Sequence, residues 1–224
     1  MNQNKIEEQN ELNVVSLFSA PVYVIEKPEF LKVARKVAKK FIDKRKNVVD
    51  LNPVYPVYMT ENLNYEPEMQ EFSNFAAQCA WNILSGQGYA MENFTTYFES
   101  MWCQEHHINS AMERHIHGNG VLMTGFYFLD CPKDATRAVF HDPRDAKVIT
   151  SLPERDPLAA THASNMINLE PKEGALMFSN SWLPHSFTKN QSKKPVRFIH
   201  FNIAIAPIQQ QQQQYCEKPQ VEVI

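Results

Sequence analysis

The feature that most constrains this chain is a change of hydrophobic period near Gly88. Before it, apolar residues recur at three- and four-residue intervals. Phe30, Val33, Ala34, Val37, Phe41 and Ile42 do so between Pro28 and about Arg45; Phe72, Phe75, Ala76, Cys79 and Ile83 do so between about Pro67 and Leu84. Each set predicts one stripe of an amphipathic helix, and the second ends in the glycine-bearing Ser85-Gly86-Gln87-Gly88. After Gly88 apolar residues alternate or run in short bursts over Phe94 to Cys103, Val121 to Leu129, Ala175 to Phe178 and Val196 to Ile205, which predicts strands. Helices come first and strands follow, without βαβ alternation. The expected architecture is therefore helices packed outside an antiparallel sandwich or barrel.

With 224 residues and 43% hydrophobic content, the chain suits one well-buried core. We read residues 1–208 as a single domain with its β core at about 90–206, and residues 209–224, which open with six glutamines, as a low-complexity tail. The polar start MNQNKIEEQNEL and the lack of a long apolar run predict a cytoplasmic protein with no membrane partner. A net charge of -3 gives no field to gather nucleic acid, and the lysines between Lys32 and Lys40 read as a solvated helix face. Cys79, Cys103, Cys131 and Cys216 form no C-x-x-C pair and suggest neither zinc cluster nor disulfide framework. The stretch from His141 to Asn168, rich in Pro, Asp, Ser and Thr, is long enough for a lid or binding loop.

The histidines carry the chemistry. In an extended segment, residues two apart point to one side, so Arg114-His115-Ile116-His117 offers two imidazoles to one ion, and Gly118-Asn119-Gly120 then breaks the strand. Alone, an H-x-H is weak. A second run, Trp182-Leu183-Pro184-His185-Ser186-Phe187, precedes a polar turn at Asn190 to Lys194 and a strand beginning Val196-Arg197. A hairpin centred near Gln191 would set His185 beside Arg197. Arg197 shares its strand face with Ile199, Phe201, Ile203 and Ile205, so its guanidinium needs an anion: an internal carboxylate, or a dicarboxylate cosubstrate gripped through two parallel bonds. Glu113 and Asp142 compete as metal ligands. Tyr127 has a hydroxyl for a cosubstrate, although core packing is the commoner role of such a tyrosine. Trp102, Trp182 and Asn202 read as packing or backbone-satisfying residues, and His106, His107, His141, His162 and His200 as non-ligands.

The ordered series His115-Ile116-His117, Thr124-Gly125-Phe126-Tyr127-Phe128, Phe140-His141-Asp142-Pro143-Arg144, Leu169 to Phe178, Trp182-Leu183-Pro184-His185 and Arg197 to Asn202 resembles the 2-oxoglutarate/Fe(II) oxygenases of marine phages and bacteria, which are distantly similar to prolyl hydroxylases. The resemblance spans roughly Trp102 to Ile205. It implies a mainly β, α+β chain: a double-stranded β-helix (jelly-roll, cupin-like) with N-terminal packing helices. It implies Fe(II) and 2-oxoglutarate as cofactors, His115, His117 and His185 as metal ligands, and Arg197 as cosubstrate anchor, beside which Tyr127, of the same strand parity as His115 and His117, is a further candidate for binding the cosubstrate. The implied activity is a dioxygenase, a hydroxylase giving succinate and CO2, with O2 and an unidentified peptidyl or small-molecule substrate as partners, in the cytoplasm of a bacterial host. His117 stands where a carboxylate is usual. That departure keeps two alternatives open: a cupin-like three-histidine dioxygenase without 2-oxoglutarate, and a catalytically silent phage-associated binding protein.

Overall fold

The computed structural model describes residues 17–150 and 152–208. The glutamine-rich tail and Cys216 lie outside them. A one-turn 3-10 helix at Pro28–Phe30 leads into α1 (Leu31–Lys46), and another at Pro67–Met69 leads into α2 (Gln70–Gly86). The proline that opens each turn loses no intrahelical bond there, because the first N–H groups of a helix lack partners anyway. Ala34, Val37 and Ile42 of α1 and Phe72 and Ala76 of α2 are buried, as the stripes read from the sequence predict; Ala38, Ala80 and Leu84 join them, whereas Val33 is exposed. The lysine face of α1 is solvated and ion-paired, with Lys36 on Glu68, Lys40 on Glu66 and Lys44 on Glu61.

The helices-first order expected from the sequence is broken by one strand before α1 and another between α1 and α2, and ten strands form two sheets. They are β1 (Val22–Glu26), β2 (Val57–Met59), β3 (Phe94–His106), β4 (Met112–His115), β5 (Met123–Asp130), β6 (Ala138–His141), β7 (Met166–Leu169), β8 (Ala175–Asn180), β9 (His185–Phe187) and β10 (Val196–Pro207); a short helix α3 (Asp145–Ile149) lies between β6 and β7. The major sheet has the order β1-β8-β5-β10-β3-β2 and the minor sheet β4-β9-β6-β7, and every pairing is antiparallel. The two sheets face each other as a double-stranded β-helix.

Alternation along the strands gives the major sheet two dry faces. Met101, Cys103, Tyr127, Leu129, Ile199, Phe201 and Ile203 pack with α1 and α2 in one core. Phe126, Phe128, Met177, Val196 and Phe198 instead join Phe140 and Phe187 of the minor sheet in a second core between the sheets. Among the described residues no helix is long and apolar enough to cross a membrane.

The expected hairpin around Gln191 does not form. β9 lies between β4 and β6 in the minor sheet, whereas β10 lies between β3 and β5 in the major one. The segment from Thr188 to Pro195 crosses from one sheet to the other. It is held by partners outside itself: Thr188 N–H donates to the Arg137 carbonyl, Asn190 N–H to that of Ser110, and the buried Asn190 amide to that of His106.

Candidate metal centre

The end of β4 pairs with the start of β9, and His115 and His185 are direct register partners. His117 lies two residues beyond, its N–H donating to the Ser181 carbonyl at 3.0 Å. The strand geometry thus points three imidazoles at one spot: a ligand nitrogen from each of His115, His117 and His185 falls within 4.8 Å of the others, and the Nε2 atoms of His117 and His185 are 3.3 Å apart. Two tautomers are set by backbone acceptors. His115 Nδ1 donates to the Glu113 carbonyl (2.8 Å) and His185 Nδ1 to that of Leu183 (3.1 Å), leaving Nε2 of each as a free lone pair. Burial, with the neighbouring His115, pushes His185 down to about 3 and His117 to about 4, so both stay in the neutral, metal-competent form. Imidazole donors with fixed tautomers suit Fe(II).

Neither rival carboxylate joins them. Glu113 is exposed and contributes its carbonyl to His115. Asp142 is occupied by Arg144 at 2.8 and 2.9 Å and by Lys147, which hold its carboxyl far below the usual range. His141 bonds Ser186 Oγ, and His107 pairs with Glu105.

The two expected cosubstrate residues are not brought to the triad. Arg197 does share a face with Ile199, Phe201 and Ile203, but that face lies under the helices. Its guanidinium is taken by two internal carboxylates, the fully buried Glu105 (2.6 Å) and Asp130 (3.2 Å). Tyr127 faces the same way, packs on Phe72 and donates its hydroxyl to the Lys27 carbonyl at 2.6 Å.

The residues that do border the triad come from the opposite parity. His200 is fully buried, its ring 5.1 Å from that of His117 and 4.3 Å from that of Trp102. A one-directional chain runs through it: His106 Nε2 donates to Gln104 Oε1, the Gln104 amide to His200 Nδ1, and His200 Nε2 to Thr124 Oγ1, at 2.8, 3.2 and 3.0 Å. The available signal was the alternation of β10: polar His200 and Asn202 share a face with Phe198 and oppose Arg197.

A cavity of about 780 Å³ opens between β1 and the minor sheet; none of the three histidines lines it, but its wall residue Phe140 has its ring 6.2 Å from that of His185. Val22, Val24, Phe140, Leu169 and Leu183 give it apolar walls, and the long segment after His141 supplies another.

Comparison with known proteins agrees with this geometry. A family described as "Putative 2OG-Fe(II) oxygenase" matches residues 100–202, from β3 to β10. No curated protein matches the chain. Solved structures of similar fold include AviO1 from Streptomyces viridochromogenes Tue57 (12% identity, TM-score 0.59, covering 83% of this chain and 90% of that one). A Pseudomonas putida prolyl-4-hydroxylase is also similar (10%, 0.53, 83% and 94%). So is HygX from Streptomyces hygroscopicus, solved with nickel, 2-oxoglutarate and hygromycin B (9%, 0.54, 83% and 83%). At such identities the likeness is one of fold, and the family match adds the chemistry. Residues 100–202 thus match a 2OG-Fe(II) oxygenase family on a double-stranded β-helix, and the enzyme class that this match indicates is that of the Fe(II)/2-oxoglutarate-dependent oxygenases.

Proposed function

We propose that His115, His117 and His185 together hold one Fe(II), and that the chain hydroxylates a mainly apolar substrate taken up in the cavity between β1 and the minor sheet, whose wall residue Phe140 neighbours His185. The observation that carries this reading is the convergence of three ligand nitrogens, two with Nδ1–H committed to backbone carbonyls, inside a domain of this family. Bound iron with 2-oxoglutarate supplies the O2 chemistry, with succinate and CO2 as co-products. The protein orients the imidazoles on two paired strands and keeps water from their inner side with Phe126 and Phe140, whose rings lie 5.5 and 6.2 Å from that of His185. Val22, Val24, Leu169 and Leu183 support an apolar substrate body, and Asp142, Arg144 and His162 at the same cavity support a polar group on it.

Anaerobic titration with Fe(II) tests the ligand set. The parent is expected to bind one equivalent, His115→Ala and His185→Ala to lose it with their circular dichroism unchanged, and His117→Asp to retain it, since a carboxylate completes the commoner triad. Full occupancy in His185→Ala would sink the assignment.

A further inference from the structure

The three imidazoles of the triad are not held alike. His115 and His185 each commit Nδ1 to a backbone carbonyl, which fixes both tautomer and ring plane. His117 lies two residues past the end of β4, just before Asn119 and Gly120 turn the chain at positive φ, and its Nδ1 makes no hydrogen bond to any described residue. Its plane is bounded by rings instead. His185 stacks on it at 5.1 Å and 14°, His115 stands at 5.2 Å and 65°, and His200 meets it nearly perpendicular at 5.1 Å and 84°. The first two belong to the triad itself. Among the described residues His200 is therefore the ring against His117 that is not also a candidate ligand, and it meets His117 in the edge-to-face arrangement that aromatic rings favour.

His200 is itself held from every side. It is fully buried on β10, a central strand of the major sheet, and its register partners on either side, Trp102 of β3 and Phe126 of β5, place their rings 4.3 and 4.6 Å from its own. Both ring nitrogens are committed. Thr124 Oγ1 donates to the Phe201 carbonyl at 3.3 Å, so it accepts from His200 Nε2; His200 Nδ1 then accepts from the Gln104 amide, whose oxygen accepts from His106 Nε2. One tautomer and one ring orientation satisfy this chain, and turning the ring would break two hydrogen bonds in a dry interior. No lone pair of His200 is left for an ion. What it offers His117 is a ring fixed in place on a rigid strand, set against a ligand that hangs beyond the end of a short one.

We propose that His200 is a positioning residue that fixes the ring plane of His117 for the metal; this rests on the three-histidine Fe(II) reading above. The test is anaerobic competition of the full chain with a chromophoric chelator for Fe(II), with the ligand-field spectrum of the Co(II)-loaded protein and the metal-free melting temperature recorded for each variant. His200→Leu is expected to weaken Fe(II) about 10- to 100-fold and to shift the Co(II) bands, the usual size of effect for a residue that orients a ligand. His200→Phe is expected to recover most of that loss, because a phenyl ring has no polar atom to satisfy and packs between Trp102 and Phe126. In the His117→Asp background, which has no ring to position, His200→Leu is expected to change affinity by less than about 3-fold. An equal loss in both backgrounds overturns the proposal, since His200 then acts through the fold and not through His117. So does a His200→Leu protein that melts lower yet binds Fe(II) like the parent, the mark of a merely structural role. If His200→Phe loses as much as His200→Leu, His200 is a ligand and the proposal also falls. Should His200→Leu fail to fold, Thr124→Val decides: it removes one of the two bonds that hold the His200 ring without opening a cavity, and unchanged affinity and Co(II) bands overturn the proposal. A parent that takes up no Fe(II) overturns the metal centre and this inference together, whereas a parent that binds one equivalent leaves the centre standing whatever the His200 variants do.

Discussion

His106 begins the chain of hydrogen bonds that ends at Thr124, and it is the member farthest from the triad. Its ring lies 5.2 Å from Phe198 and 5.9 Å from Phe187, it is fully buried, and burial pushes it down to about 3. In the unfolded chain it titrates near 6.5. Below that pH the unfolded state takes up a proton that the folded state refuses. Stability is therefore fully present above about 6.5 and falls as pH drops toward 3. Metal-free His106→Phe keeps the ring packing and removes this linkage, at a constant cost from the unpaired Gln104 oxygen. Its urea midpoint between pH 6.5 and 4.5 is expected to fall less steeply than the parent's; parallel slopes would show that His106 is protonated in the fold. At this scale the clustering of His115, His117 and His185 was legible, because residues two apart in an extended segment point to one side. Arg197 was misplaced because β10 is apolar on both faces, and alternation says which residues share a face without saying what that face meets. Ile199 and Phe198 are equally buried. The helices above one and the minor sheet above the other are long-range facts.

Between strands, the determinant is how closely their backbones and rings approach. Gly125 of β5 pairs with Phe201 and Phe178, and a Cβ added there would lie 2.3 Å from the Phe201 ring and 2.5 Å from the Met177 carbonyl oxygen. The carbonyl belongs to the neighbouring ladder and cannot turn aside. Gly125→Ala is expected to destabilise by about 1–3 kcal/mol through overpacking, read from the shift in denaturant midpoint at unchanged slope, and any stabilisation would contradict the register. This explains physically why glycine follows Thr124 in the motif read from sequence. The long strands β3, β5, β8 and β10 and both helices were visible in the hydrophobic period. β2, β4, β6, β7 and β9 have only three or four residues each, too few to show a period of two, and so the minor sheet had no signal of its own. The supposed hairpin failed for the same reason: a polar turn between two apolar runs looks alike whether the chain returns to its own sheet or crosses to the other.

Across the whole molecule, the helix layer and the β-helix are joined by buried charge as well as by apolar packing. Glu105 of β3 is fully buried and accepts from Arg197 of β10 and, at 2.7 Å each, from Lys46 of α1 and His107. Arg35 of α1 reaches the Leu129 carbonyl, Asp130 and Glu173, carrying the same network across β5 to the turn before β8. Desolvation alone would raise the Glu105 carboxyl; the cations around it outweigh that and hold it low. Its ionised form therefore contributes stability above the unfolded glutamate range near 4.3, and that contribution is lost as pH falls through its depressed folded value. Arg197→Met leaves this carboxylate with Lys46 and His107 only. It is expected to cost about 1.5–3 kcal/mol at pH 7, to raise the Glu105 titration, and to leave Fe(II) stoichiometry intact, because the lost contacts lie on the helix side of the sheet. Adding Glu105→Gln should recover part of the loss, since the pair then vanishes together, and the coupling energy of that double-mutant cycle measures the ion pair between β10 and β3 beneath α1. Full additivity of the two substitutions would mean that Arg197 and Glu105 act independently, and the clamp between the layers would then rest on Lys46 and Arg35 of α1.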